Sequence, residues 1–199
     1  MVRPRFAALV LSVLPALLCG CVAGVAPVEV SRFHLPDTSM LGRGSIAIEP
    51  APGLDPASLE LRSYEAAVAR QLTQQGYVEA APGGGEQIAV VRLDRHIYRP
   101  VRTRGPVSVG VGGATGSYGS GVGMGVGIDL SGRPPEQIDT ELGVMIRDRA
   151  SNTTLWEGRS RFTVPAKSPL ALAPVSADKM ATALFGGFPG RSGETIEVK

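Results

Sequence analysis

Cys21 has the residue type and the setting for one specific reaction, acceptance of lipid at its sulfur. Met1 to Arg5 carries two arginines and no acid, Phe6 to Leu18 is almost wholly apolar, and Leu18-Cys19-Gly20-Cys21 follows. A charged start, a short apolar run and a small-residue cleavage site describe an export signal. The apolar run contains Pro15 and falls short of the about 20 residues a spanning helix needs. An aliphatic residue three places before a cysteine and a small one just before it fit a bacterial lipoprotein signal. Leu18, Gly20 and Cys21 supply them. The expected mature chain begins at Cys21, acylated, and Val22 after it matches an outer-membrane address.

Other reactive patterns are weaker. Ser176-Ala177-Asp178-Lys179 has the Ser-x-x-Lys spacing of penicillin-interacting enzymes, but the companion Ser-Asp-Asn and Lys-Thr-Gly motifs are absent. Ser176 is expected to cap a helix instead. His34 and His96 lie in different strands with no partner at metal-ligand spacing, so no metal site is expected. Asp94 and His96 read as a surface ion pair. The glycine-rich stretch from Gly105 to Gly132 holds no lysine and misses the dinucleotide spacing, so no cofactor is expected. The chain reads as a non-enzyme.

Charge narrows the partners. The chain has 20 basic and 18 acidic residues, and Arg3 and Arg5 leave with the signal, so the mature chain is formally neutral. Global charge therefore gives no support to nucleic-acid binding. Cys19 leaves too and Cys21 is acylated, so no internal disulfide forms. One local cluster stands out: Arg92, Arg95, Arg99, Arg102 and Arg104 with His96, against Asp94 alone. Arg99, Arg102 and Arg104 are the candidate contacts to anionic head groups. The competing reading is a strand edge protected by charge.

The elements that must position these residues follow from periodicity. Residues 21–27 read as a tether and 28–190 as one domain. Val28 to Phe33 and Ser45 to Glu49 read as strands. Leu61, Tyr64, Val68 and Leu72 recur at helical spacing after Asp55-Pro56 or Ser58 as cap, with Gly76 closing the helix. Gln87 to Tyr98 is a long strand whose apolar parity changes at Val90-Val91, which predicts a bulge. Ile138 to Ile146 and Trp156 to Val164 form a hairpin, and a last helix starts near Ser176. Residues 191–199 read as a polar tail. The order predicts an α+β fold: an antiparallel-rich sheet with two helices on one face.

Residues 105–132 alternate in a way that linkers do not, and read as a glycine-rich β-hairpin insertion. Folding about Gly116-Ser117 sets Val111 opposite Val122, Val109 opposite Met124 and Val107 opposite Val126. Apolar side chains then share one face and mainly glycine the other. Glycine in strands marks a close backbone approach. The tip, Ser117, Tyr118 and Ser120, is the candidate partner contact.

Several short motifs occur in an order that resembles a family of bacterial lipoproteins, domain-of-unknown-function family 4136. They are Ser31-Arg32-Phe33, Ser58-Leu59-Glu60-Leu61-Arg62, Gly112 to Gly119, Leu155-Trp156-Glu157-Gly158-Arg159, Phe188-Pro189-Gly190 and Ser192-Gly193-Glu194-Thr195. The resemblance implies an envelope lipoprotein with an α+β domain and carries over no catalytic residues. The expected function is a non-enzymatic, lipid-anchored role, structural or accessory to an envelope assembly, with the domain facing the periplasm. The alternative is an auxiliary lipoprotein that binds a lipid or glycolipid in outer-membrane transport.

Overall fold

The computed structural model describes residues 26–101, 107–116, 119–128 and 134–199. Its elements run β1 (Val28–His34), β2 (Ser45–Pro50), α1 (Leu59–Gln74), β3 (Val78–Ala80), β4 (Gln87–Tyr98), β5 (Val107–Gly116), β6 (Gly119–Ile128), β7 (Gln137–Asp148), β8 (Thr154–Pro165), α2 (Ala173–Phe185) and β9 (Glu194–Val198). Seven strands form one sheet in the order β3-β2-β4-β7-β8-β1-β9, and β5 and β6 form a separate antiparallel ladder.

The fold is α+β with a mostly antiparallel sheet. Its parallel part is β2, which pairs in parallel with both β3 and β4. Helix α1 is the crossover between β2 and β3, as a parallel pair requires. β3 escaped the sequence reading because three residues are too few to show a period. The 191–199 segment corrects an expectation: it is no tail, because β9 pairs with β1 from Val28↔Val198 to Arg32↔Glu194. Its alternation of Thr195 and Glu197 with Ile196 and Val198 is an edge-strand pattern, half-buried on one parity.

Both helices cover one face of the sheet. Alternate residues of the four central strands are buried beneath them: Val28 and Val30, Ala89 and Val91, Leu142 and Val144, Trp156 and Phe162. Helix α1 lies over β2 and β4, α2 lies over β8 and β1, and the helices pack on each other. Leu61, Tyr64, Ala67, Val68 and Leu72 form the buried stripe of α1. Of the two candidate caps, Ser58 is used: its hydroxyl accepts from the Leu61 amide at 3.3 Å.

The bulge expected at Val90-Val91 is elsewhere. β4 pairs with β7 without interruption from Gln87↔Asp148 to Tyr98↔Gln137, and the register shift falls between Ile146 and Arg147 against β8. The parity change at Val90 has another cause. Val91 faces the helices, whereas Val90 is half-buried on the opposite face, beside Ala51 and Pro52.

The hairpin register also differs. Val107 pairs with Ile128, Val109 with Val126 and Val111 with Met124, two residues from the expected alignment. A fold between Gly116 and Ser117 leaves no residue for the turn, whereas pairing Gly116 with Gly119 leaves a two-residue connection. A shift of two preserves parity, so the valine row and the glycine row survive.

Candidate functional site

Residues of four of the six short motifs meet at the C-terminal end of α2, whereas Ser58 to Arg62 opens α1 and Gly112 to Gly119 belongs to the β5–β6 ladder. Arg32 points from β1 toward the helices and is 2% exposed. Its Nε donates to the Leu184 carbonyl at 3.0 Å, and its Nη2 donates to Ala183 at 3.0 Å and Gly186 at 2.8 Å. Its Nη1 donates to Glu194 Oε1 at 3.0 Å. One guanidinium thus satisfies carbonyls that a helix end leaves open and places a positive charge at the negative end of the helix dipole. The Arg191 amide and then Arg32 hold the Glu194 carboxyl below its usual range.

Trp156 stands beside this arginine. Its indole N–H donates to the Pro189 carbonyl at 2.9 Å, and its ring stacks on Phe185 at 5.3 Å with Phe188 at the same distance. Gly190 has φ +81°, and a Cβ there would come within 2.7 Å of Arg32 Cδ. Arg32, Trp156, Gly158, Phe188, Gly190 and Glu194 are therefore one packing unit. The guanidinium thereby joins β1 to the end of α2 and to β9.

The Ser-x-x-Lys spacing does not build a nucleophile. Ser176 is not the cap expected of it, because α2 begins at Ala173 with Pro174 in its first turn. The Ser176 hydroxyl is buried and donates to Met180 Sδ at 3.5 Å. The Lys179 ammonium stands 5.7 Å from the centre of the Phe162 ring. His96 Nε2 lies 3.0 Å from Asp94 Oδ1 on an exposed strand end.

The face of the sheet without helices carries a trough of about 530 Å³ centred on Gly143. Cross-strand pairing sets Arg92 and Arg159 on either side of this glycine. Val90, Met145, Ala51 and Pro52 supply apolar lining, and Arg147, Asp94, Glu141 and Glu157 complete the rim. Arg147 Nε is buried without a hydrogen-bond partner among the described residues. Arg159 is tied to Glu157 at 2.6 Å. Sequence reading missed this site because its key feature is a missing side chain at Gly143 between two arginines on neighbouring strands.

The basic cluster does not assemble as one surface. Arg95 points to the helix side and bonds Glu60 and the Ala171 carbonyl. Arg92 lies on the opposite face at the trough. Arg99 pairs with Glu136 at 2.7 Å, joining the chain that leaves β4 to the chain that enters β7. Arg102 and Arg104 lie outside the described residues, as do Cys21, Ser117 and Tyr118; Ser120 is on β6.

One end of the sheet gathers the remaining features. β4 finishes there at Tyr98, opposite Gln137 where β7 begins and Pro165 where β8 finishes. β1 enters near it, with Glu29 opposite Arg161. The links from Arg95 to Glu60 in α1 and to Ala171 just before α2 place both helix starts there as well. The more numerous group of exposed apolar side chains lies at this end: Leu59 at 77%, Ile97 at 68%, Val101 at 88% and Leu172 at 61%, with Tyr98 and Val175, whereas Phe33, Leu35, Met40 and Val78 are exposed toward the other end. Among the described residues no helix is long and apolar enough to cross a membrane, which says nothing of crossing by strands.

No family model matches the chain. It is similar to an uncharacterized protein of Zymomonas mobilis, 29% identical over 215 residues that span 87% of this chain and 80% of the relative. Among solved structures it is similar to a PDZ domain protein from Parabacteroides distasonis, with a TM-score of 0.46 and 11% identity over 87% of this chain and 39% of that one. It is also similar to the PelC dodecamer from Paraburkholderia phytofirmans, with a TM-score of 0.44 and 12% identity over 83% of this chain and 99% of that one.

Proposed function

We propose that the chain is a non-enzymatic envelope lipoprotein of the kind its motifs resemble, acylated at Cys21, with the domain standing in the periplasm on the outer membrane. Its role is structural or accessory to an envelope assembly. The observation that carries this reading is the apolar end of the sheet. Val28 follows Cys21 by seven residues, a reach of at most about 25 Å. A lipid at Cys21 therefore keeps the end bearing Leu59, Ile97, Val101 and Leu172 close to a bilayer. Side chains that are unfavourable in water become favourable there, at about 25 cal/mol for each Å² of apolar surface removed from water. Two or three acyl chains hold a neutral domain stably without help from arginines.

Intact-mass analysis of the protein extracted from membranes tests the reading. The expected mass is that of residues 21–199 plus acyl groups, and Cys21→Ser is expected to remain unacylated and uncleaved. Acyl-free protein beginning elsewhere would overturn it.

The Gly143 trough favours the second reading, an auxiliary lipoprotein that carries a lipid or glycolipid. Apolar lining beside Arg92, Arg147 and Arg159 suits an amphiphile with an anionic head. A Cβ at Gly143 meets only Arg92 Cβ, at 3.6 Å, so the site admits a side chain without backbone clash. Gly143→Phe is expected to keep the fold and to abolish co-purifying lipid in native mass spectrometry. Wild-type protein that carries no lipid sinks this reading.

A further inference from the structure

The β5–β6 ladder has the dimensions and pattern of a membrane-crossing hairpin. Each strand has 10 residues, and a strand that crosses a bilayer at a tilt needs about 9–11. The register sorts these residues into two rows. One row pairs Val107 with Ile128, Val109 with Val126, Val111 with Met124 and Gly113 with Val122, and finishes at Thr115 and Ser120. The other holds Ser108, Ala114 and otherwise glycine. Residues 107–128 contain no charged residue, and charges resume on both sides, at Arg102 and Arg104 before and at Asp129 and Arg133 after. Apolar alternation bounded by charge is the signature of barrel strands.

The chain leaves for this hairpin and returns from it at the end of the sheet that would face a bilayer under the lipid-anchored reading. β4 delivers the chain to β5, and β7 takes it from β6, at the end of the sheet that carries the more numerous exposed apolar side chains and the entry of β1. The Arg99–Glu136 pair ties the two arms at that neck.

A lone hairpin cannot cross lipid, because both outer edges would present unpaired N–H and C=O groups. The simplest complement is another copy of the same hairpin: the free edge of β5 in one copy pairs with the free edge of β6 in the next. Repeated head to tail with a rotation that closes, this contact makes a ring. From these features we infer that β5–β6 crosses the membrane as one part of a β-barrel assembled from several copies of this chain, the valine row facing lipid and the glycine row facing the lumen. The inference rests on the lipid-anchored reading above for its membrane.

Full-length lipidated protein in vesicles tests it. The mature chain has no cysteine besides the acylated Cys21 under that reading, so single thiols can be introduced cleanly. Environment-sensitive fluorophores at Val109→Cys, Val111→Cys and Val126→Cys are expected to be quenched by lipid-borne quenchers. Those at Ser108→Cys and Ala114→Cys are expected to respond to aqueous quenchers instead. Aqueous quenching at all five labelled positions overturns the inference. Acyl mass at Cys21 is read on the same sample. Acylated, floating protein with a wet hairpin defeats the barrel alone, whereas acyl-free protein defeats the anchor.

Discussion

The indole of Trp156 occupies the space that a side chain at Gly158 would need: a Cβ on Gly158 would lie 2.3 Å from the Trp156 ring and 2.9 Å from Leu184 Cδ1. The two residues are neighbours on the helix-facing side of β8, and the missing side chain lets the ring lie flat beneath α2. Gly158→Ala is therefore expected to lower stability by about 1–3 kcal/mol, the range for overpacking a core. Urea unfolding followed by the fluorescence of Trp156, the chain's one tryptophan, measures it. An unchanged midpoint would show that the ring moves aside without cost.

Arg32 is expected to be irreplaceable by lysine. Its fork reaches two carbonyls of α2, that of Gly186 just after it, and Glu194 together, and an ammonium cannot match that geometry. Arg32→Lys should cost about 2–4 kcal/mol, because carbonyls at the end of α2 lose a charged donor in a buried place. Glu194→Gln, on the half-exposed edge strand, should cost much less. Equal losses in the two variants, read as urea midpoints, would mean that the ion pair rather than the helix end is what matters.

Asp139 makes stability depend on acid. Hydrogen bonds from Arg161, and a further one from Thr163, hold its carboxyl below its ordinary value of 3.8. A carboxyl depressed in the folded state stabilises fully above the unfolded value and loses that contribution as pH falls through the folded value. Asp139→Asn is thus expected to be less stable than wild type at pH 7, with the gap shrinking below about pH 4. A gap that stays constant to pH 3 in urea titrations would remove Asp139 from the acid response.

Much of the architecture was legible because long elements carry their own period. The stripe of α1 and the alternation of β7 and β8 name the core residues that the structure buries. What escaped was non-local. β9 looks polar until β1 lies beside it, and Val90 looks like a bulge until the far face of the sheet is considered. The hairpin's rows were readable from parity, but its register needed the two residues of a turn. The motifs Ser31-Arg32-Phe33 and Leu155 to Arg159 could be quoted without a role. Their role is a meeting of β1, β8 and the end of α2 across more than 120 residues of sequence.

An apolar sheet end held against a bilayer fixes how the domain is oriented, and two labels report that orientation. Leu172→Cys reports on the apolar end of the sheet, and Ser151→Cys reports on the turn between β7 and β8 at the opposite end. With the lipidated protein in vesicles, spin labels at both sites are probed with a lipid-soluble and a water-soluble relaxation agent. The label at 172 is expected to meet the lipid-soluble agent and the label at 151 only the aqueous one. The same aqueous accessibility at both sites, or lipid contact at 151, would contradict this orientation.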